Sequence, residues 1–206
     1  EGKGIFIYKN GDKIEGNFKN HLTNGKAVLT YVNGSIYKGE FKDDLFHGKG
    51  IHTYTEDLEV IKYEGDFKED LRHGQGKSVG EGWSYEGSYQ EGRFHGQGTY
   101  EDEDVIFEGE FFEGSIKKGK RVDKEAGSFE GEFNDRGNLD GYGKHDAGNW
   151  KQEGSWKNGD LHGKGIVHYE NGSFFEGEFV EGVREGYGRF EYADGEYYEG
   201  EWNQDD

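Results

Sequence analysis

The densest basic cluster of the chain consists of Lys117, Lys118, Lys120 and Arg121. It lies in the segment 114–121, Gly-Ser-Ile-Lys-Lys-Gly-Lys-Arg, which nearly matches the phosphate-binding loop G-x-x-x-x-G-K-[ST]. An Arg replaces the hydroxyl residue that would hold magnesium, and no helix is expected to follow and present its N-terminus to a phosphate. We therefore predict a solvated basic hairpin tip without a nucleotide. Its four side chains are candidate contacts for an acidic partner or a phosphoinositide headgroup.

Four histidines occupy the same position of different sequence repeats: His47, His73, His95 and His162. If each repeat contributes two strands, equivalent atoms of successive repeats lie about 10 Å apart, whereas zinc–nitrogen bonds are about 2.1 Å long. One ion cannot bridge two such positions. We expect the rings to pack or form hydrogen bonds at hairpin turns, and we predict no metal and no cofactor.

Pairs of glutamates flank a glycine in several repeats, at Glu108/Glu110, Glu130/Glu132, Glu176/Glu178 and Glu199/Glu201. A catalytic acid and base need different surroundings to separate their pKa values, and a motif copied from repeat to repeat gives each copy the same surroundings. A solvated acidic face is the expectation, with weak divalent-cation binding as the alternative left open. The sequence predicts no catalytic residues and no enzyme.

All these residues belong to repeats that are marked by one tract, aromatic-Glu-Gly-x-aromatic. Nine copies, spaced 22 to 26 residues apart, start at Ile14, Tyr37, Tyr63, Tyr85, Phe107, Phe129, Gln152, Phe175 and Tyr198. The third position is always Gly and the fifth always aromatic. A period of this size is typical of a stacked repeat protein. We predict one array over residues 1–206, with partial repeats at 1–13 and 198–206, and expect it to be a fragment of a longer protein.

Composition limits the remaining classes. Only 30% of the 206 residues are hydrophobic, 33% are charged and the formal net charge is -19, values that without periodicity would indicate disorder. The periodic aromatic residues instead predict that each repeat buries a few rings against its neighbours. Cysteine is absent, which excludes disulfides. So acidic a chain is not expected to bind nucleic acid, because phosphate contacts require basic side chains.

Each repeat carries two strand patterns. Tyr85, Gly87 and Tyr89 alternate with polar residues, and Gly96, Gly98 and Tyr100 are expected to share one face of the next strand. Asn-Gly and Asp-Gly pairs between strands favour type I′ turns. We predict an all-β fold, an elongated twisted antiparallel sheet of stacked hairpins with two strands per repeat, in which glycine faces the aromatic rings.

The segment 85–98, Tyr-Glu-Gly-Ser-Tyr-Gln-Glu-Gly-Arg-Phe-His-Gly-Gln-Gly, resembles the MORN (membrane occupation and recognition nexus) repeat, as do segments 63–76, 152–165 and 175–188. The resemblance extends over essentially the whole chain and implies binding or architecture, since such arrays occur in cytoskeletal and ciliary scaffolds, junctional membrane proteins and accessory modules of lipid kinases and methyltransferases. The repeats that start at Phe107 and Phe129 depart from the pattern, and segment 56–61 lengthens another. A bulge, bend or partner contact is expected at these places.

The leading functional prediction is a non-catalytic scaffold of a cytoskeletal or ciliary assembly, located in the cytoplasm. Its Gly-lined aromatic face would bind a peptide, a helix or a second rod, because Tyr and Trp anchor interfaces well. The predicted partner-binding residues are Tyr85, Tyr89, Phe111, Phe133, Trp156, Phe175 and Phe179; the alternative for each ring is a purely core role. The partner is a protein or a second copy of the chain. Two other functions stay open: phospholipid recognition, which the net charge disfavours, and service as accessory module of a larger enzyme.

Overall fold

A computed structural model describes residues 1–56 and 59–204. The chain divides into two compact units, Glu1–Glu103 and Asp104–Asp206. The described residues form strands and turns only, so the all-β prediction is confirmed. None of them belongs to a helix long and apolar enough to cross a membrane. The prediction of a single array was made from the repeat period alone and stays a prediction.

The first unit is an antiparallel meander in which each strand pairs with the next along the chain. Its nine strands are β1 (Gly2–Ile7), β2 (Lys13–Lys19), β3 (Leu22–Thr30), β4 (Ile36–Lys42), β5 (Leu45–Glu56), β6 (Glu59–Lys68), β7 (Leu71–Val79), β8 (Trp83–Gln90) and β9 (Arg93–Asp102). The tract found in the sequence forms the even-numbered strands.

The second unit has the same meander topology. Its strands are β10 (Val105–Phe112), β11 (Ser115–Asp123), β12 (Gly127–Phe133), β13 (Leu139–Asp146), β14 (Trp150–Lys157), β15 (Asp160–Tyr169), β16 (Phe174–Val180), β17 (Val183–Glu191) and β18 (Tyr197–Asn203). Two strands per repeat in stacked antiparallel hairpins is therefore confirmed in each unit.

Two-residue turns join the strands within most repeats. Both turn residues have positive φ, for example 54° at Asn158 and 100° at Gly159, as a type I′ turn requires. The first unit uses non-glycine residues at three such turns, including φ 69° at Asp44 and 66° at Asp70. These two aspartates form hydrogen bonds to the preceding repeat. The Asp44 N–H donates to the Thr23 carbonyl at 3.1 Å, and the Thr23 N–H donates to the Asp44 carboxylate at 2.6 Å. The turn thereby holds two repeats together.

One residue of every strand lies at the same register position, and all but one of these residues are glycine. In the first unit this glycine row is Gly4, Gly16, Ala27, Gly39, Gly50, Gly65, Gly76, Gly87 and Gly98. In the second unit it is Gly109, Gly119, Gly131, Gly143, Gly154, Gly165, Gly177, Gly188 and Gly200. The bare backbone of the row lets a ring approach closely.

The aromatic rings lie on one side of this row and form the core of each unit. A Cβ added to Gly50 would come within 2.5 Å of the Tyr37 hydroxyl oxygen. The Tyr37 ring also stacks on Phe46, with centroids 3.6 Å apart, and meets Phe41 and Phe67 edge-on, at 5.1 Å each. Each repeat thus packs its rings against its own glycines and against the next repeat. The predicted pairing of glycine with aromatic rings is confirmed.

A β-bulge changes the phase that the sequence suggests for the second strand of a repeat. In β9 the register shifts opposite Gly87 and Tyr89, and Gly96 has φ 63°. A Cβ at Gly98 would meet the Tyr85 ring, whereas one at Gly96 would meet Ser88 instead. The expectation that Gly96 and Gly98 share the ring face is therefore wrong, because the bulge turns Gly96 away.

The irregular repeats keep the glycine row. The row continues from Gly109 through Gly119, Gly131 and Gly143 without a break. The insertion at 56–61 lengthens the hairpin of β5 and β6, where Tyr54 pairs with Ile61. Asp57 and Leu58, part of the predicted irregularity, lie outside the described residues. Sequence divergence in the repeats at Phe107 and Phe129 therefore leaves the register of the glycine row unchanged, and each of these hairpins contains a register shift just after the row, as the regular hairpins do.

Candidate functional site

The rings proposed as partner contacts are buried within the chain itself. Their exposed fractions are 0 to 6% for Tyr85, Tyr89, Phe111, Phe133, Trp156, Phe175 and Phe179. They pack edge-on within their strand and against the next repeat, as Phe175 does with Phe179 at 5.2 Å and with Trp202 at 5.1 Å. The expectation that these rings are exposed is corrected by this packing, because a repeat protein has no other apolar surface to bury. A partner on the outer surface cannot reach them in this fold.

Polar groups of the core rings are also satisfied inside each repeat. The hydroxyls of Tyr37, Tyr63 and Tyr85 donate to the backbone carbonyl three residues ahead, at 2.8 to 2.9 Å. Burial raises the pKa of all three phenols above the ordinary value. Burial likewise raises the pKa of Tyr89 to about 12, although its hydroxyl donates a hydrogen bond to Ser78 Oγ at 2.7 Å, which lowers the pKa. These tyrosines serve the fold in their neutral form.

The opposite side of the glycine row is open and polar. Because side chains alternate along a strand, the residues before and after each row glycine point to this side. We call it the polar face. In the first unit it forms an open groove of about 1740 Å³, and in the second a smaller one of about 500 Å³. Each groove is lined by the row backbone and by the flanking side chains.

The polar face of the first unit carries equal numbers of basic and acidic residues beside the row. They are Lys3, Lys26, Lys38, Lys49 and Lys77 with Glu15, Glu40, Glu64, Asp66 and Glu86. Three aliphatic residues lie among them, Ile5, Val28 and Ile51. Ile5 is 59% exposed, and Val28 and Ile51 are half-buried. The groove therefore offers cations and apolar surface together.

Carboxylates predominate on the polar face of the second unit. Nine acidic residues flank its glycine row, Glu108, Glu110, Glu130, Glu132, Glu153, Glu176, Glu178, Glu199 and Glu201, against five basic ones, Lys118, Lys120, Lys144, Lys164 and Arg189. Basic residues stand opposite many of the acids, as Lys144 does opposite Glu153 with a 3.0 Å ion pair. The polar face of the second unit is thus predominantly acidic, with basic residues opposite many of the carboxylates.

Two exposed tyrosines line the smaller groove, Tyr142 at 60% and Tyr187 at 59% exposure. The Tyr187 hydroxyl donates to Glu199 at 2.9 Å, and that of Tyr142 to Glu153. The hydrogen bond to Glu153 raises the pKa of Tyr142 and lowers that of Glu153. Neither residue is among the site residues predicted from the sequence. The feature that distinguishes them is Gly-Tyr-Gly, where other repeats have Gly-Lys-Gly or Gly-Gln-Gly.

The basic cluster does not form one patch. Residues 117–121 lie inside β11, so the expected hairpin tip is corrected to a strand interior. Lys118 and Lys120 flank Gly119 on the polar face. Arg121 lies on the ring side, 4.4 Å from the centroid of Phe129 and 3.0 Å from Asp123.

Acidic neighbours neutralise the four cations of this cluster. Lys117 forms an ion pair with Asp135, Lys118 lies 3.8 Å from Glu132, and Lys120 stands in register between Glu108 and Glu130. Charge-charge attraction to an anionic ligand is weakened by such pairing. That the cluster contacts a phosphate or an acidic partner stays a prediction. In this fold its side chains interact mainly with acidic residues of the chain itself.

The four repeat histidines precede a glycine of positive φ at the bulge of their hairpins, for example Gly48 at 59° and Gly163 at 95°. Within residues 1–56 and 59–204, no three His, Cys, Asp or Glu residues are placed to hold a metal ion.

Comparison with known proteins agrees with this architecture. The family model of the MORN repeat matches residues 1–13, 15–36, 37–56, 63–83, 85–104, 153–174 and 175–197. No curated protein matches the chain. The unmatched stretch 105–152 contains both irregular repeats, yet it keeps the strand pairing and the glycine row. MORN repeats are interaction modules for proteins or lipids, and as a repeat module they are non-catalytic. Because the matches span most of its length, the chain belongs to the MORN-repeat family.

Proposed function

We propose that this protein is a protein-interaction scaffold whose partner lies along the polar face, across the strands and over the glycine row. The observation that carries the proposal is the difference between the two faces. The rings are buried in the core, whereas charged, aliphatic and tyrosine side chains in the grooves are accessible. Exposed tyrosines such as Tyr142 and Tyr187 are of a type enriched at protein interfaces, and charged side chains are usual at the interface rim.

The geometry of the row gives this surface a second advantage for binding. The Cβ positions of the row residues point towards the rings, so no side chain lies on the axis of the polar face and a partner backbone can lie close to the sheet between the two lines of flanking side chains. Because the strands repeat about every 4.8 Å along the row, successive parts of a bound partner meet similar sets of flanking side chains. A rigid, preformed groove also lowers the ordering cost of binding.

The setting is part of the same proposal. The protein would act in the cytoplasm, as a scaffold in a cytoskeletal or ciliary assembly, and membership of the MORN-repeat family supports this setting. Lipid recognition has weaker support, because the basic cluster is paired with acids and divided between two faces.

Amine-reactive cross-linking followed by mass spectrometry tests the binding surface in the native assembly. Lys26, Lys49 and Lys164 on the polar face should cross-link to the partner. Lys42 and Lys157, which end strands at hairpin turns, are exposed controls and should react with the partner less often. Partner cross-links confined to the turn lysines would contradict the proposal.

A further inference from the structure

The first unit repeats one tripeptide on alternate strands. Lys3-Gly4-Ile5 in β1, Lys26-Ala27-Val28 in β3 and Lys49-Gly50-Ile51 in β5 each place a lysine, a small row residue and an aliphatic residue at the same register position. The three lysines lie 23 residues apart in the sequence. All nine residues line the large groove. We call this set the Lys–aliphatic ladder.

The lysines of the ladder are available to a ligand. All three are exposed, and the part of the chain that the structure describes offers no ion pair to Lys3 or Lys26. Lys49 pairs with Asp66 at 2.8 Å, with 70% of its side chain still exposed. Lys38, on the strand between the second and third rungs, also has no ion pair among the described residues. The groove as a whole carries as many acids as bases, and Glu40 lies opposite Lys26 in the register, so the lysines without ion pairs offer separate positions for the carboxylates of a ligand rather than a net positive charge.

The spacing of the rungs matches one backbone conformation. Successive rungs are two strands apart, which is about 9.6 Å at 4.8 Å per strand. A polyproline II helix advances about 3.1 Å per residue with three residues per turn, or about 9.3 Å per turn. A segment in this conformation laid along the glycine row would present the same face to every rung. A fully extended strand, whose side chains alternate with period two, would lose this register within one rung.

The two lines of side chains in the ladder determine which residue types the bound segment must present to them. Lysine precedes the row residue and the aliphatic residue follows it, so the two lines of side chains lie about 7 Å apart on opposite sides of the row. A ligand of period three can direct an acidic residue to the lysine line and an apolar one to the aliphatic line. Its third residue then faces solvent.

We propose that the Lys–aliphatic ladder binds an acidic protein segment in the polyproline II conformation, with an acidic and an apolar residue recurring every third position. This specificity rests on the proposed role of the polar face. An anionic membrane would be attracted by the lysines too, but the regular aliphatic line at the same spacing favours a peptide.

The test uses the full chain and a fluorescein-labelled peptide, (Glu-Leu-Pro)4, in an anisotropy titration. The expected result is saturable binding that weakens with salt. A peptide of identical composition without the three-residue period should bind at least about tenfold more weakly, because it cannot satisfy successive rungs together. Equal binding of the two peptides would overturn the proposal.

Three variants locate the site. Lys26→Glu and Val28→Asp alter the ladder, and Lys157→Glu makes the same charge change at an exposed lysine that ends β14 and lines neither groove. The ladder variants should raise the peptide Kd about tenfold, and Lys157→Glu should leave it unchanged. Circular dichroism of each variant checks that it is folded; Lys26 and Lys157 are both exposed. An equal loss in all three variants would refute the ladder.

Two further outcomes separate this inference from the proposed function. Lys26-dependent sedimentation with phosphatidylserine vesicles, without binding of the peptide, would assign the ladder to a lipid surface and overturn the inference. Cross-links of the native partner to the polar face combined with failure of the period-three peptide would refute the ladder's specificity while leaving the scaffold proposal standing.

Discussion

Each unit lays rings over its own glycine row, and the types of ring differ between the two units. In the first, the hydroxyls of Tyr37, Tyr63 and Tyr85 reach across the row and donate to backbone carbonyls. In the second, phenylalanine or glutamine replaces tyrosine at the corresponding positions before Tyr198, and the indoles of Trp156 and Trp202 donate to row carbonyls at 2.9 and 3.1 Å. The second aromatic position thus supplies the donor at two places in this unit, and Tyr198 still donates from the first position, to the Glu201 carbonyl at 3.1 Å.

This difference shows what the repeat fixes and what it leaves free. The row residue is small, glycine in all strands but one, and aromatic rings pack beside it, whereas a donor to a nearby carbonyl is present where Tyr or Trp stands at these positions and absent where Phe does. Which side chain supplies the donor can change, because Tyr and Trp both combine a large apolar body with one polar atom. The polar faces differ still more, with aliphatic residues and lysines in the first unit and tyrosines and glutamates in the second.

Alkaline pH should destabilise the tyrosine core selectively. The pKa values of Tyr37, Tyr63 and Tyr85 are raised by burial, so the folded state favours the neutral phenol. Their stabilising contribution is complete below pH 10 and is lost as the pH rises above 10 towards the folded pKa. We expect a loss of about 1 kcal/mol per buried tyrosine at pH 11. Urea unfolding at pH 8 and pH 11 measures it.

Phenylalanine variants show whether the first unit causes this loss. The triple variant Tyr37→Phe/Tyr63→Phe/Tyr85→Phe should be less sensitive to pH 11, at the cost of three hydrogen bonds at pH 8. Tyr192→Phe/Tyr197→Phe is the control in the second unit, where both phenols are exposed. The same relief of alkaline sensitivity in both variants would show that core burial is not its cause.

A methyl group on the glycine row should be more harmful at Gly50, in the first unit, than at Gly165, in the second. A Cβ at Gly50 would lie 2.5 Å from the Tyr37 hydroxyl oxygen, whereas one at Gly165 would lie 3.2 Å from the nearest atom, a Leu161 methyl. We expect Gly50→Ala to cost about 3 kcal/mol of unfolding free energy through overpacking, and Gly165→Ala about 1 kcal/mol or less. Urea denaturation of the two variants provides the measurement, and equal losses would contradict the ring-on-glycine account.

The turn aspartates should contribute a smaller, local stabilisation that the second unit lacks. The Asp70 carboxylate accepts the Phe46 N–H at 2.7 Å, while Gly159 and Gly182 at equivalent turns offer only backbone bonds. Asp70→Gly removes this acceptor but relieves a positive φ, so the net loss should be about 1 kcal/mol.

Hydrogen exchange of the Phe46 amide reports on this contact directly. Its protection should fall in Asp70→Gly and be largely kept in Asp70→Asn, since asparagine retains an acceptor oxygen and tolerates positive φ. Unchanged protection in Asp70→Gly would show that the carboxylate does not hold the two repeats together.

The strands could be predicted from the sequence because their pattern is local. Gly and aromatic residues alternate in the tract, and the turn pairs follow at fixed distances, so strand type, pairing partner and the ring-on-glycine contact all follow from the period. The bulge at Gly96 could not be predicted, because the residue alternates with Gly98 as in a regular strand and only its positive φ distinguishes it.

The accessible surface was harder to predict than the fold. Tyr85 and Phe175 were expected to be exposed because a single sheet has two faces and aromatic residues favour interfaces, yet close stacking between repeats buries them fully. The ladder was overlooked because Lys3, Lys26 and Lys49 are ordinary in isolation. Their significance depends on the cross-strand register, which places them in one line.

The glycine row separates the positions that encode the fold from those that can encode recognition. Residues on the row and the ring side are constrained by contacts of a few ångströms, but the two residues beside each row position face solvent and can vary without disturbing the core. The divergent stretch 105–152 has kept its register while its sequence changed. Each strand thus has two positions that can be substituted while the backbone stays the same. New binding specificities can therefore arise by substitutions along the polar face, without remodelling a loop.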